Sequence, residues 1–350
     1  MKKINPQKTD RILIRAANWV GDAIMSTPML RAVRRNFPNA EIFILAKPWV
    51  APVFEHSPDV DHILIYDKAG RHGGPWGIPR LCRELRRYRF DLAVLVQNAF
   101  EAALIAWLAG IPNRLGYDTD GRSPLLTHAV PMRPHLKKRH QIDYYLGILQ
   151  GVSLPSFGRE MTLAVPASER KGAEALLNRC GTTGADGIIG INPGAAFGSA
   201  KRWFPERYAE LCIRLRKNRP GLPVVVFGGP GEEALGETIC RKVGDGCVSL
   251  CGRTTLREAV ALIDRCRLFV TNDSGLMHVA AALDIPQVAV FGPTNHTTTS
   301  PASRNAHMVW TPTPCSPCMK PECPLGHHRC MKAVTADLVC GVAEKILNHP

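Results

Sequence analysis

The sequence predicts an α/β protein built from two Rossmann-like, doubly wound domains that face each other across a cleft. Three observations carry this expectation. Short, nearly continuous Val/Ile/Leu runs recur along the chain, as in parallel sheets covered on both faces. Segments with helical periodicity alternate with them, which is the rhythm of βαβ units. The 350 residues are enough for two domains of ordinary size.

In the first half the strand-like runs are RILIRA (11–16), EIFILAK (41–47), HILIYD (62–67) and DLAVLVQN (91–98). Helices are expected over 23–37, to about residue 57, over 79–88 and over 100–109. A polar, Gly-rich loop (68–77) precedes the basic helix at 79. Residues 111–139 read as short strands and loops, and a helix follows over 141–150. The Pro- and Ser-rich stretch 151–168 ends in Ser168, a good helix N-cap, and marks the domain boundary. The domains are then 1–165 and 166–334, and 335–350 is a terminal helix that can pack back on the N-terminal domain. The second half repeats the rhythm without a visible internal repeat. Its strand-like runs are 187–194, 223–229, 248–250, 268–273 and 287–292, and its helices fall over 204–217, 232–243, 255–265 and 275–283.

Composition narrows the class. A hydrophobic fraction of 45% with 21% charged residues suits a globular protein. No apolar run reaches 18 residues, so no transmembrane helix is expected. The basic N-terminus carries only a three-residue apolar run and does not resemble a secretory signal, which points to the cytoplasm. The net charge of +14 is uneven: residues 1–171 hold 25 Lys/Arg against 15 Asp/Glu (+10), and the remainder 19 against 15 (+4). A basic half suits nucleic acid, anionic lipid or a phosphorylated substrate, and a merely solvated basic surface is an equal reading. Aromatics make up only 7% and do not interleave with the basic clusters, which speaks against stacked single strands.

Four motifs could carry chemistry. In NWVGDAIMSTP (18–28), Asp22 follows a Gly at a strand-to-helix turn, where a general base would sit; a capping Asp is the competing reading. In INPGAAFGSAKRWFPERYAEL (191–211), a small-residue loop containing Gly194 leads to Lys201, a mobile point charge for a phosphate. Trp203 and Phe204 read there as core or staple residues. In VVVFGGPGEEA (224–234), Gly228 and Gly229 allow close approach, and Glu232 suits ribose hydroxyls. The G-x-G-x-x-G fingerprint is missing, so a nicotinamide site is poorly supported. In VTNDSGLMHVAAAL (270–283), Asp273 and Ser274 are good N-caps, and Gly275 opens a helix whose N-terminus favours anions. A fifth cluster stands apart. Cys315, Cys318, Cys323 and Cys330 form C-x2-C-x4-C-x6-C, beside His327 and His328. Such spacing suits a structural zinc or iron–sulfur site, with unliganded thiols as the alternative. The other eight cysteines are scattered, and no disulfides are expected.

Taken in order, WVGDAIMSTPMLRAVRRNFP (19–38), QNAFEAALIAWLAGIPNRLGY (97–117), the 191–211 and 224–233 segments and TNDSGLMHVAAALDIPQVAVFGPT (271–294) resemble the ADP-heptose:lipopolysaccharide heptosyltransferases, and among them the enzymes that add the second heptose. The resemblance implies a GT-B fold and an inverting, metal-independent transfer from ADP-heptose to the first heptose of the lipid A–inner core. It also implies a place at the inner, anionic face of the cytoplasmic membrane, and no nucleic acid. By the family motif, Asp22 corresponds to the general base and Lys201 to the Lys on the donor phosphates. Gly194, Gly228, Gly229, Glu232, Asp273, Ser274, Gly275 and His278 correspond to donor-site residues. Asn18, Trp19, Asn98 and Arg139 are the expected acceptor contacts. Arg71, Arg83, Arg86, Arg87, Lys137 and Lys138 are candidates for the anionic surface. The cofactor expectation is none for catalysis, with structural Zn or Fe–S at the Cys cluster. The alternatives are a sister enzyme acting at the first or third heptose and, from another class, a nucleic-acid-binding protein using the basic half and a Cys knuckle.

Overall fold

The computed structural model describes residues 4–182 and 186–348. The chain forms two compact units, Met1–Ala164 and Val165–Pro350.

The first unit is a six-stranded parallel sheet. Its strands are β1 (Arg11–Arg15), β2 (Glu41–Ala46), β3 (His62–Ile65), β4 (Leu92–Leu95), β5 (Asn113–Tyr117) and β6 (His128–Val130), in the order β3-β2-β1-β4-β5-β6. The apolar runs place Ile12 opposite both Ile42 and Leu92 in register. Helices cover the sheet, and Leu13, Phe43, Leu45, Leu81, Leu85, Leu95 and Ile105 share one core. The helix expected over 23–37 is two helices, Val20–Met25 and Thr27–Asn36. Pro28, lacking an N–H and disfavouring the helical conformation before it, restarts the helix at its own first turn. Helix Ala167–Arg179 begins after Pro166, so Ser168 lies inside its first turn and is not the cap.

The second unit repeats the plan. Its strands are β7 (Ile188–Asn192), β8 (Val224–Val226), β9 (Cys247–Ser249), β10 (Cys266–Asn272), β11 (Gln287–Val290) and β12 (Ala306–Val309), all parallel, in the order β12-β11-β10-β7-β8-β9. Read from β9, this is the same topology as the first sheet, and both follow the dinucleotide-fold order. Val270 pairs with Ile191 on one side and Val288 on the other.

The terminal helix Ala336–Asn348 packs against helix Pro205–Asn218 and β10–β12 of the second unit. Its inward residues Val339, Ala343 and Leu347 join Trp203, Leu211 and Val290 in one core, so apolar burial fixes its place. Trp203 sits at the centre of that core, fully buried, with its ring edge-on to Tyr208 and its Nε1 donating to the Val334 carbonyl at 2.8 Å. Trp203→Ala is expected to lower unfolding stability by about 3–5 kcal/mol, read by denaturant melts. A loss under about 1 kcal/mol would place the ring outside the core's energetics.

In each sheet the strand order reverses once, between β1 and β4 and between β7 and β10. Ligands of such folds bind beyond the carboxyl ends of the strands at that switch point. The expected site residues concentrate there.

Candidate active site

In the first unit, residues 16–22 leave β1 and residues 96–98 leave β4. Trp19 stands in extended backbone at the cap position of helix Val20–Met25, and its side chain makes no capping bond. Asp22 does not occupy the cap position; it lies in the first turn, where the helix dipole favours a carboxylate. Its Oδ1 accepts a hydrogen bond from the Tyr145 hydroxyl at 2.8 Å. Burial, and then the charge of Asp22, push the Tyr145 phenol well above its ordinary range, so it stays a donor and orients the carboxylate.

The acceptor-side expectations fall as follows. The Asn18 side chain accepts from Arg15 (2.9 Å) and its carbonyl from Trp49 Nε1 (2.9 Å). Trp19 and Trp49 are both 57% exposed. Asn98 is bonded to the Tyr144 hydroxyl and accepts from Arg122 (2.7 Å). Arg139 is exposed on the segment before helix Gln141–Gln150. Arg71, Arg83, Arg86, Arg87, Lys137 and Lys138 lie on the surface too, although Arg71 pairs with Glu84 and Arg86 is bonded to the Leu108 carbonyl.

Sequence reasoning missed a charged group beside this switch point. Arg15 and Lys47 end or follow apolar strands, yet both are buried, and both lie over the Tyr66 ring, with Lys47 Nζ 3.7 Å from its centroid. Tyr66 donates to Glu101 (3.0 Å), which also takes Lys68 (2.5 Å). Burial first, and Arg15 next, bring the Lys47 ammonium down to about 8 from 10.5. The folded chain then holds fewer protons on Lys47 than the unfolded chain between those values, so this group adds stability as pH rises through that window. Lys47→Met is expected to be relatively more stable than the parent at about pH 7, with the advantage shrinking by about pH 10, in paired denaturant melts. A difference independent of pH would remove Lys47 from this account.

The second unit brings most of the donor-side expectations together. Lys201 Nζ meets Asp273 Oδ2 at 2.7 Å, with both side chains largely buried. Ser274 holds the cap position of helix Gly275–Ala282, but its side chain does not cap it; its hydroxyl accepts from Asn192 Nδ2 at 2.6 Å. Neither Asp273 nor Ser274 is therefore a side-chain cap. Long-range partners hold both, and the helix N-terminus is left to other acceptors. Gly275 opens the helix. His278 lies on that helix and is buried, at 3% exposure.

The turn after β8 completes the group. Glu232 Oε2 accepts from the Gly229 N–H at 2.9 Å, and Oε1 lies 3.6 Å from Arg202. A Cβ at Gly194 would strike the Glu232 carboxylate, and one at Gly228 would strike Cys251. Both glycines are thus needed for Glu232 to reach across. Asn272, which sequence reasoning did not single out, ties the loops together. Its Nδ2 donates to the Pro193 and Gly194 carbonyls (2.7 and 3.2 Å), and its Oδ1 accepts from Trp203 N–H and the Tyr208 hydroxyl (3.1 and 3.0 Å). Only its place after an apolar run signalled it.

A buried Lys–Asp pair, a carboxylate held by a glycine turn and a helix N-terminus beyond the strands of the second sheet, with a carboxylate in a first turn beyond the first sheet, suit anion binding and proton transfer. Residues 78–329 match glycosyltransferase family 9 (heptosyltransferase), and the chain belongs to that family. It is 32% identical over 351 residues to lipopolysaccharide heptosyltransferase 2 of Salmonella typhimurium, covering 97% of this chain and 99% of that one. The solved ADP-heptose LPS heptosyltransferase II of E. coli superposes with a TM-score of 0.81 at 30% identity, over 97% of this chain and 98% of that one. A glycosyl transferase family 9 structure from Veillonella parvula gives 0.85 at 26% identity, with the same coverage. The protein is a heptosyl-transferring glycosyltransferase; a nucleic-acid-binding protein is not favoured.

Proposed function

We propose that the chain transfers L-glycero-D-manno-heptose from ADP-heptose to the first heptose of the lipopolysaccharide inner core, with inversion. The observation that carries this reading is the Lys201–Asp273 pair at the β7/β10 switch point, beside the N-terminus of helix Gly275–Ala282. Its similarity to lipopolysaccharide heptosyltransferase 2 of Salmonella typhimurium and heptosyltransferase II of E. coli supports the second-heptose assignment.

The chemistry follows from the groups present. The acceptor hydroxyl oxygen attacks the anomeric carbon as the bond to the β-phosphate oxygen breaks. Asp22 takes the hydroxyl proton, help worth roughly 10²–10⁴-fold. The leaving ADP gains negative charge. Lys201 has three N–H donors and Asp273 takes one, so the ammonium can be held by the carboxylate and still meet a phosphate oxygen. The N–H groups of residues 274–276 add to that field. Glu232, poised by Gly229, suits the ribose hydroxyls, and Gly194 and Gly228 keep the floor open. With the cationic work done by Lys201 and the helix, no catalytic metal is invoked. On the acceptor side, exposed Trp19 and Trp49 offer sugar-stacking faces beside Asn18, with Asn98 and Arg139 as polar contacts. The exposed basic residues on and just after helix Gly77–Arg86, with exposed Trp76 and Trp107, support peripheral association with an anionic membrane face.

ADP release tests the assignment, measured with lipid A–inner core acceptors carrying no, one or two heptoses. Release with the one-heptose acceptor is expected. Release confined to another acceptor would move the enzyme to a sister step, and release with none would overturn the reading.

A further inference from the structure

The Cys-rich segment is used by no step above, and its four thiols are brought to one place. Cys315, Cys318, Cys323 and Cys330 line a single cavity of about 20 Å³, together with His327, His328, Ala200 and Pro293. That volume exceeds what one water needs, so an ion fits. The segment also spends unfavourable backbone: Met319 and His328 adopt left-handed conformations (φ 56° and 52°) that non-glycine residues seldom take. Met319 directly follows Cys318, and His328 lies two residues before Cys330. Among the described residues, no three Cys, His or acidic side chains are already drawn tightly enough to hold an ion. Binding therefore requires the turns to tighten by local rearrangement.

We propose that Cys315, Cys318, Cys323 and Cys330 bind one divalent, thiophilic ion of the zinc class as a tetrahedral tetrathiolate site that braces the loop carrying Lys201. Four thiols lose four protons to solvent as the ion enters, leaving the site with a net charge of −2. Four protein ligands leave no open position, so the ion is structural. The bracing is visible in the contacts. Ala200 N–H donates to the Pro321 carbonyl at 2.9 Å, and a side chain at Gly198 would strike that same carbonyl. Met319 N–H donates to the Pro293 carbonyl (2.8 Å) and the Ser316 hydroxyl to the Gly292 carbonyl (2.5 Å), which tie the segment to the loop after β11. The turn between Cys318 and Cys323 thus leans directly on residues 198–201.

The full-length protein, purified without chelator, is tested for bound metal and then titrated with Zn²⁺ and with Co²⁺ as a spectroscopic stand-in after chelator treatment. About one ion per chain is expected, with thiolate-to-cobalt absorption on Co²⁺ addition. Cys318→Ser and Cys323→Ser, both at partly exposed positions, should lose the ion, and Cys340→Ser should keep it. Less than about 0.2 ion per chain, with no cobalt–thiolate band, would overturn the site. The bracing, which rests on the donor reading above, is checked by ADP affinity: chelation should weaken it about tenfold, and Zn²⁺ should restore it. Unchanged affinity at one ion per chain would overturn the bracing. Metal content is independent of the nucleotide, so a chain that binds metal but no ADP would refute the functional reading and not the metal site.

Discussion

Asp22→Asn lowers turnover roughly 10²–10⁴-fold while ADP binding stays within about threefold of the parent. The size follows from removing a base whose substrate, a sugar hydroxyl, is a weak acid. The substitution is nearly isosteric, and an amide oxygen can still accept the Tyr145 hydroxyl at the 2.8 Å position, so the first turn of helix Val20–Met25 keeps its geometry. Donor affinity is spared because the proposed nucleotide contacts belong to the second unit. Steady-state turnover and ADP titration together check this. Turnover within tenfold of the parent would mean that another group takes the proton.

Lys201→Ala acts on binding and rate together. One charge-assisted bond is worth about 1.5–3 kcal/mol, so ADP affinity should fall about 10–100-fold. The same change leaves Asp273 largely buried without its cation, and breaking such a pair costs on the order of 3–5 kcal/mol of stability. The two effects can be separated. Lys201→Met combined with Asp273→Asn removes both charges and should recover most of the stability but not the affinity. If the double variant regained ADP binding as well, Lys201 would be a structural residue and not a phosphate contact.

The fold was legible where physics is local. Parallel strands buried on both faces need a continuous apolar stretch, and the ILI, IFILA and LFV stretches of RILIR, EIFILA and CRLFVTN supply it. β12 was missed because AHMV is a half-exposed edge strand, with His307 and Met308 facing solvent. The identical order of the two sheets was also hidden: parallel sheets with right-handed crossovers converge on one topology without sharing residues. At the site, residue types were readable and partners were not. Asp22 stood out as an acid in a Gly-containing turn, but Tyr145, 123 residues away, gave no sign of orienting it. Asp273 and Ser274 look like caps locally, and only the folded chain supplies Lys201 and Asn192 as their partners. Buried Arg15 and Lys47 defied the rule that charges ending a strand face water, because aromatic and carboxylate groups from later strands and helices receive them.

The most direct test is the mass of a one-heptose lipid A–inner core acceptor after incubation with this protein and ADP-heptose. A gain of one heptose residue, matched by one ADP released, is expected. An acceptor of unchanged mass, with the donor intact and the protein folded, would contradict it.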